Sequence, residues 1–219
     1  MRHSLLSALV AASVIVPTAH AGIVITEVMS SSGTNGTPDW IEVTNDGSSA
    51  VSLSGWKMDD GSFNIAAAVA LSGITSIGAG ESVIFIESTG GAGIGSFRTF
   101  WGGLANVQVG YYSGSGVGLS SGGDGVCLFN NPGVNVNQVS FGAAITGSSF
   151  FWGWDAQGSI DPNYSAVVST VGTIGTQVGF VSADALGNIG SLGTAIAVPG
   201  PGVAAAAVLA LAVRSRRRA

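Results

Sequence analysis

The chain has 219 residues, of which 46% are hydrophobic and only 9% charged, with 35 glycines and six prolines. That length suits one good core with an elaboration, and so much apolar surface argues against disorder, while the glycines follow no Gly-X-Y period and argue against collagen. All twelve acids lie between Glu27 and Asp184, where only Lys57 and Arg98 oppose them. The body therefore carries a net of ten negative charges and repels phosphate backbones, so nucleic acid is not an expected partner.

Residues 1–21, MRHSLLSALVAASVIVPTAHA, have the layout of a secretory signal peptide. Arg2 supplies the positive start, Leu5 to Val16 the apolar stretch, and Ala19-His20-Ala21 a small-x-small cleavage site. The apolar stretch is well short of the roughly 20 residues needed to span a bilayer. Cleavage after Ala21 by a signal peptidase would remove His3 and His20, the only two histidines. A serine or cysteine nucleophile then lacks its usual base. The single cysteine, Cys127, permits no intrachain disulfide and no paired-cysteine metal knuckle, and is expected to be a small buried hydrophobe.

The strands begin at once. IVITEVM (23–29) alternates, with Ile23, Ile25 and Met29 on one side and Val24, Thr26 and Val28 on the other. Glu27 shares the Ile23–Ile25 face, and an inward glutamate there needs Arg98 or Lys57 as partner, or a place at the sheet end. DWIEVTN (39–45) puts Ile41 and Val43 on one face and Glu42 and Thr44 on the other, so Glu42 is expected to meet water. Asn45-Asp46-Gly47 is turn chemistry. VSLSGWKM (51–58) follows as a strand, with Gly55 suggesting a bulge before Trp56.

After a turn at Asp59-Asp60-Gly61 comes a looser apolar segment, and then SVIFIES (82–88), the clearest buried strand. SFRTFWGG (96–103) is the one expected helical turn. VQVGYY (107–112), GVCLFN (125–130) and NVNQVSF (135–141) are further strands, the last two joined by an Asn130-Asn131-Pro132-Gly133 hairpin loop. Short strands at this spacing predict an all-β antiparallel sandwich over residues 22–142. Residues 143–197 are expected to extend the same domain as Gly-rich β structure.

Several chemistries can be weighed on this frame. No Gly-Lys-Ser/Thr closes any glycine run, so a P-loop is absent, and GSGVGL (114–119) lacks a βαβ setting and fits a strand-joining loop. Glu27, Asp39, Glu42 and Glu87 are candidates for a carboxylate pair that hydrolyses polysaccharide, with structural charges the blander reading. Asp59, Asp60 and Asp124 sit in Gly-rich loops and could give calcium its oxygen ligands, though without an EF-hand spacing; solvated loop acids are the alternative. Calcium is the only cofactor the sequence raises. Phe150, Phe151, Trp152 and Trp154 could stack on a surface polysaccharide or equally form edge-strand core.

Residues 198–219 form a separate terminal segment. Pro199-Gly200-Pro201 breaks from the body, and Val203 to Val213 is an eleven-residue apolar run that contains six alanines. As a helix it spans about 17 Å, against a hydrocarbon core near 30 Å. Arg214, Arg216, Arg217 and Arg218 follow and would stay on the cytoplasmic side of a membrane. Prolines, short helix and arginine cluster together resemble the PEP-CTERM class of bacterial sorting signals. The resemblance implies cleavage by an exosortase-type protease and delivery to the surface. The chain departs from that pattern in having Pro-Gly-Pro without an acid, and a weak membrane anchor is the alternative.

The order IVITEVM, DWIEVTNDGSSAVSLSGWKMDD, GAGESVIFIES, GLSSGGDGVCLFN and NQVSF resembles the lamin-tail domain over roughly residues 22–142. That family implies an immunoglobulin-like sandwich with no catalytic residues. Its apolar framework falls on Trp40, Ile41, Val43, Leu53, Trp56, Val83, Phe85, Leu128 and Val139. The expectation is an exported, non-catalytic module at the bacterial cell envelope, cell surface or extracellular matrix, with a structural, adhesive or binding role. A polysaccharide hydrolase and a calcium-stabilised carbohydrate-binding module are the alternatives.

Overall fold

A computed structural model describes residues 22–33, 36–102, 104–152, 167–168, 172–174, 177–182 and 187–193. The strands in the first half are β1 (Ile23–Met29), β2 (Trp40–Asn45), β3 (Val51–Ser52), β4 (Lys57–Asp60), β5 (Val69–Ala70), β6 (Ser76–Ile77) and β7 (Ser82–Glu87). After helix α1 (Ile94–Trp101) come β8 (Val109–Tyr112), β9 (Asp124–Phe129), β10 (Asn135–Phe141) and β11 (Phe150–Phe151). Four short strands complete the described chain: β12 (Val167–Val168), β13 (Gly172–Ile174), β14 (Gln177–Val181) and β15 (Ile189–Gly190).

A six-stranded sheet, β12-β11-β1-β2-β7-β8, faces a four-stranded sheet, β10-β9-β4-β5. Between them lies the main core, in which Ile25, Val28, Ile41, Val43, Phe85 and Tyr112 of the larger sheet meet Met58, Val126, Leu128 and Val139 of the smaller. The fold is the expected all-β immunoglobulin-like sandwich. All nine framework residues named above are buried. One pairing departs from the antiparallel expectation: β8 runs parallel to β7, with Ile84 opposite Val109 and Glu87 opposite Tyr112. The intervening α1 supplies the crossover that a parallel pair needs.

Three local readings change. VSLSGWKM is not one strand, because Trp56 N–H closes a turn on the Leu53 carbonyl and Gly55 takes φ +76. The chain thereby leaves the β3–β6 pair and enters β4 in the four-stranded sheet. Asp59 and Asp60 end that strand, and the turn follows them, with Phe63 N–H bonded to the Asp60 carbonyl.

In β1, Ile25 pairs with Val43 but the next register pair is Glu27 with Glu42, so Thr26 is a bulge. One extra residue reverses the alternation. Ile23, Ile25 and Val28 point into the sandwich, while Thr26, Glu27 and Met29 point to the opposite face.

That opposite face is not bare. Met29, Trp40, Ile84, Ile86 and Val109 of the sheet are covered by Phe97 and Trp101 of α1 and by Leu104 and Leu192. Phe97 and Trp101 lie one turn apart on the same side of the helix. Their rings meet Trp40 edge-on, at centroid distances of 6.3 and 5.7 Å. An eight-residue helix with no side-chain cap is marginal alone. Here the aromatic contacts hold it, and Arg98 ties its last turn to the Leu104 and Val107 carbonyls.

Candidate functional site

Two carboxylate pairs form, from the four acids that the sequence singles out. The first is Glu27 with Glu42, directly opposite each other across β1 and β2 and both fully buried. This corrects two expectations. Glu42 does occupy the face opposite Ile41 and Val43, but that face is covered and does not meet water. Glu27 leaves the Ile25 face through the Thr26 bulge, so neither Arg98 nor Lys57 is its partner.

The donors come instead from the region beyond residue 143. Glu27 accepts hydrogen bonds from Ser149 Oγ, from Ser191 N–H at 2.8 Å and from Ser191 Oγ at 2.6 Å. Glu42 accepts from Thr26 Oγ1 at 2.5 Å and from Gly193 N–H. Burial, and then the charge of Glu27, push the Glu42 carboxyl up to about 8, against the lowering effect of its two donors. Thr26 Oγ1 continues to Thr44 Oγ1 at 2.9 Å, and Thr44 to Ser82 Oγ at 2.7 Å, so a chain of hydroxyls leads away from the acid. The pair is sealed from substrate and serves as a buried polar anchor. Gly190 shows how closely the anchored segment fits: a Cβ there would lie 3.2 Å from Glu27 Oε1 and 3.2 Å from the Trp101 ring.

The second pair is Asp39 with Glu87, at the ends of β2 and β7, where Glu87 N–H bonds the Asp39 carbonyl at 2.7 Å. Strand alternation puts Asp39 on the side of Ile41 and Glu87 on the side of Phe85, which is the interior side of the sandwich at its rim. Ser32, Gly33, Gly36, Thr37 and Pro38 complete an open polar groove around them. Partial burial, reinforced by the Glu87 charge, pushes Asp39 up to about 7. Glu87 lies against the Gly114 loop, where a Cβ on Gly114 would collide with its carboxylate.

The acids singled out for calcium lie around the turn at the end of β4, each engaged with local donors. Asp59, fully buried, accepts from Ser62 Oγ and from Asn64 N–H, both at 2.6 Å. Its strand neighbour Asp60 faces the other way and accepts from Ser62 N–H at 2.9 Å. Asp124 accepts from the N–H groups of Gly61, Ser120 and Gly125. All three thus cap turns, and among the described residues no three His, Cys, Asp or Glu side chains converge tightly enough to hold a metal by themselves. Cys127 is buried beside Asp59, and burial pushes its thiol up to about 12, in keeping with a packing role.

For the aromatic cluster the structure selects one of the two readings. Phe150 and Phe151 form β11 inside the six-stranded sheet, and Trp152 is almost wholly covered, so these three are core and not a sugar platform. Trp154, the signal-cleavage residues Ala19 and Ala21, and the sorting residues Pro199, Pro201, Arg214, Arg216, Arg217 and Arg218 lie outside the described residues. No helix among the described residues is long and apolar enough to cross a membrane.

The family model described as Lamin Tail Domain matches residues 17–143, more than half of the chain. No curated protein and no solved structure matches the chain significantly.

Proposed function

Since the chain belongs to the lamin tail domain family, whose domain is a structural immunoglobulin-like sandwich, we propose that it is an exported, non-catalytic surface module. Its role is structural, adhesive or binding, at a bacterial cell surface or in extracellular matrix. The observation that carries the reading is the sealed Glu27–Glu42 pair. The most elaborate polar cluster of the described chain is closed to substrate and anchors one part of the chain to another. The two ends support the location. Residues 1–21 suit a signal peptidase, and Pro199, Pro201 and the Arg214–Arg218 cluster suit an exosortase-type sorting protease, or else a transient membrane hold. The acidic body leaves no basic surface for nucleic acid. Intact mass of the protein released from the surface of whole cells tests the proposal.

A second reading, hydrolysis of a surface polysaccharide, has one observation in its favour. Burial, and then the Glu87 charge, raise Asp39 to about 7 in an open groove, the direction a general acid beside a base needs. Asp39→Asn should abolish turnover of the cognate glycan on that reading. Unchanged turnover, or none in the parent protein, removes it.

A further inference from the structure

We propose that the Asp39–Glu87 groove is a calcium site that closes one end of the sandwich. Its first feature is charge without a counter-charge. No described residue donates a hydrogen bond to either side-chain carboxylate, and the two described cations lie elsewhere. Arg98 is bound to the Leu104 and Val107 carbonyls, and Lys57 is exposed at the start of β4. Two carboxylates at adjoining strand ends repel each other, and the Glu87 N–H bond to the Asp39 carbonyl fixes these residues side by side.

A second, independent feature is Tyr112. It stands opposite Glu87 in the parallel β7–β8 register, with its side chain in the sandwich core, on the side that Asp39 and Glu87 share. The residue is fully buried, and its hydroxyl has no hydrogen-bond partner. Burial, and then the fields of Asp39, Glu87 and Asp124, push that phenol well above its ordinary value. A third oxygen, Thr37 Oγ1 in the groove wall, is likewise buried and unpartnered. Leaving such groups unsatisfied in the folded state is unfavourable. A ligand that brings positive charge and accepts several oxygens, directly or through its own waters, answers all of them.

The donor set selects the ion. It contains only oxygens, with no histidine or thiolate, which suits a hard cation and not zinc or copper. Two carboxylates and few other protein ligands leave several positions to water. Calcium tolerates such an irregular shell of six to eight oxygens, whereas magnesium demands a near-ideal octahedron. Affinity should fall in the range of extracellular modules, with Kd on the order of 10⁻⁴ to 10⁻³ M.

The test uses the full chain, freed of metal and titrated with calcium chloride, with magnesium chloride as control. Melting temperature should rise by about 3 °C or more at 10 mM calcium and much less with magnesium. Asp39→Asn and Glu87→Gln should each lose the calcium response while keeping the far-ultraviolet spectrum of the parent. Tyr112→Phe should fold as well as the parent and bind calcium about threefold or more weakly. Absence of any calcium response in the parent overturns the proposal. So does a response that survives Asp39→Asn and Glu87→Gln, including one lost in Asp59→Asn, which would place the ion at the Asp59 turn.

Discussion

Glu42 shows how a bulge on the neighbouring strand and a distant covering segment can change a side chain's setting. Strand alternation assigns its face correctly, but the Thr26 bulge brings Glu27 to the same face, and the segment ending at Gly193 closes over both. A carboxyl held up to about 8 in the fold and ionising near 4.5 when unfolded binds a proton that the unfolded chain has released. Its contribution to stability is therefore fully present below about pH 4.5 and is lost as pH rises through about 8. Glu42→Gln keeps the shape and removes the titration. Variant and parent should unfold alike near pH 5, within about 1 kcal/mol, and the variant should be the more stable by about 1 kcal/mol or more at pH 9. Denaturant melts at the two pH values check this, and parallel pH profiles would contradict it.

At the scale of elements, the segment around β15 is the piece that the sequence hides. GNIGSLG (187–193) has only two large apolar residues and no alternation to mark it, yet Ser191 and Gly193 supply backbone donors to both buried glutamates. Its fit depends on Gly190, since a Cβ there would press on Leu192, Glu27 and Trp101. Gly190→Ala should cost about 1–3 kcal/mol in urea denaturation, and a neutral result would mean that the segment is not docked as described.

The legible elements are those whose signals are local. SVIFIES, the β9–β10 hairpin with its Asn130–Gly133 loop, and a helix around SFRTFW all lie where pattern and turn chemistry put them. Gly133, with φ +85, takes the backbone that a β-branched residue would resist. Illegible were the features set by distant partners. The parallel β7–β8 pair depends on how α1 docks, and the choice between surface and core for Phe150 and Phe151 is decided only when β11 inserts between β1 and β12. The Asp39–Glu87 pair belongs to this class too, since 48 positions separate residues that strand register brings side by side.

For the whole molecule, the family match at 17–143 and the physical unit do not end together. β11 and β12 extend the main sheet, and Ser149, Ser191 and Gly193 reach back to Glu27 and Glu42. The second apolar face of the sandwich is covered by the chain's own helix and later segment. The measurement that bears most directly on the proposed export is the intact mass of the native protein released from the surface of unbroken cells. The account predicts a polypeptide that begins at Gly22 and ends near Pro199. A chain recovered only from inside the cell, still beginning at Met1 and ending at Ala219, would contradict it.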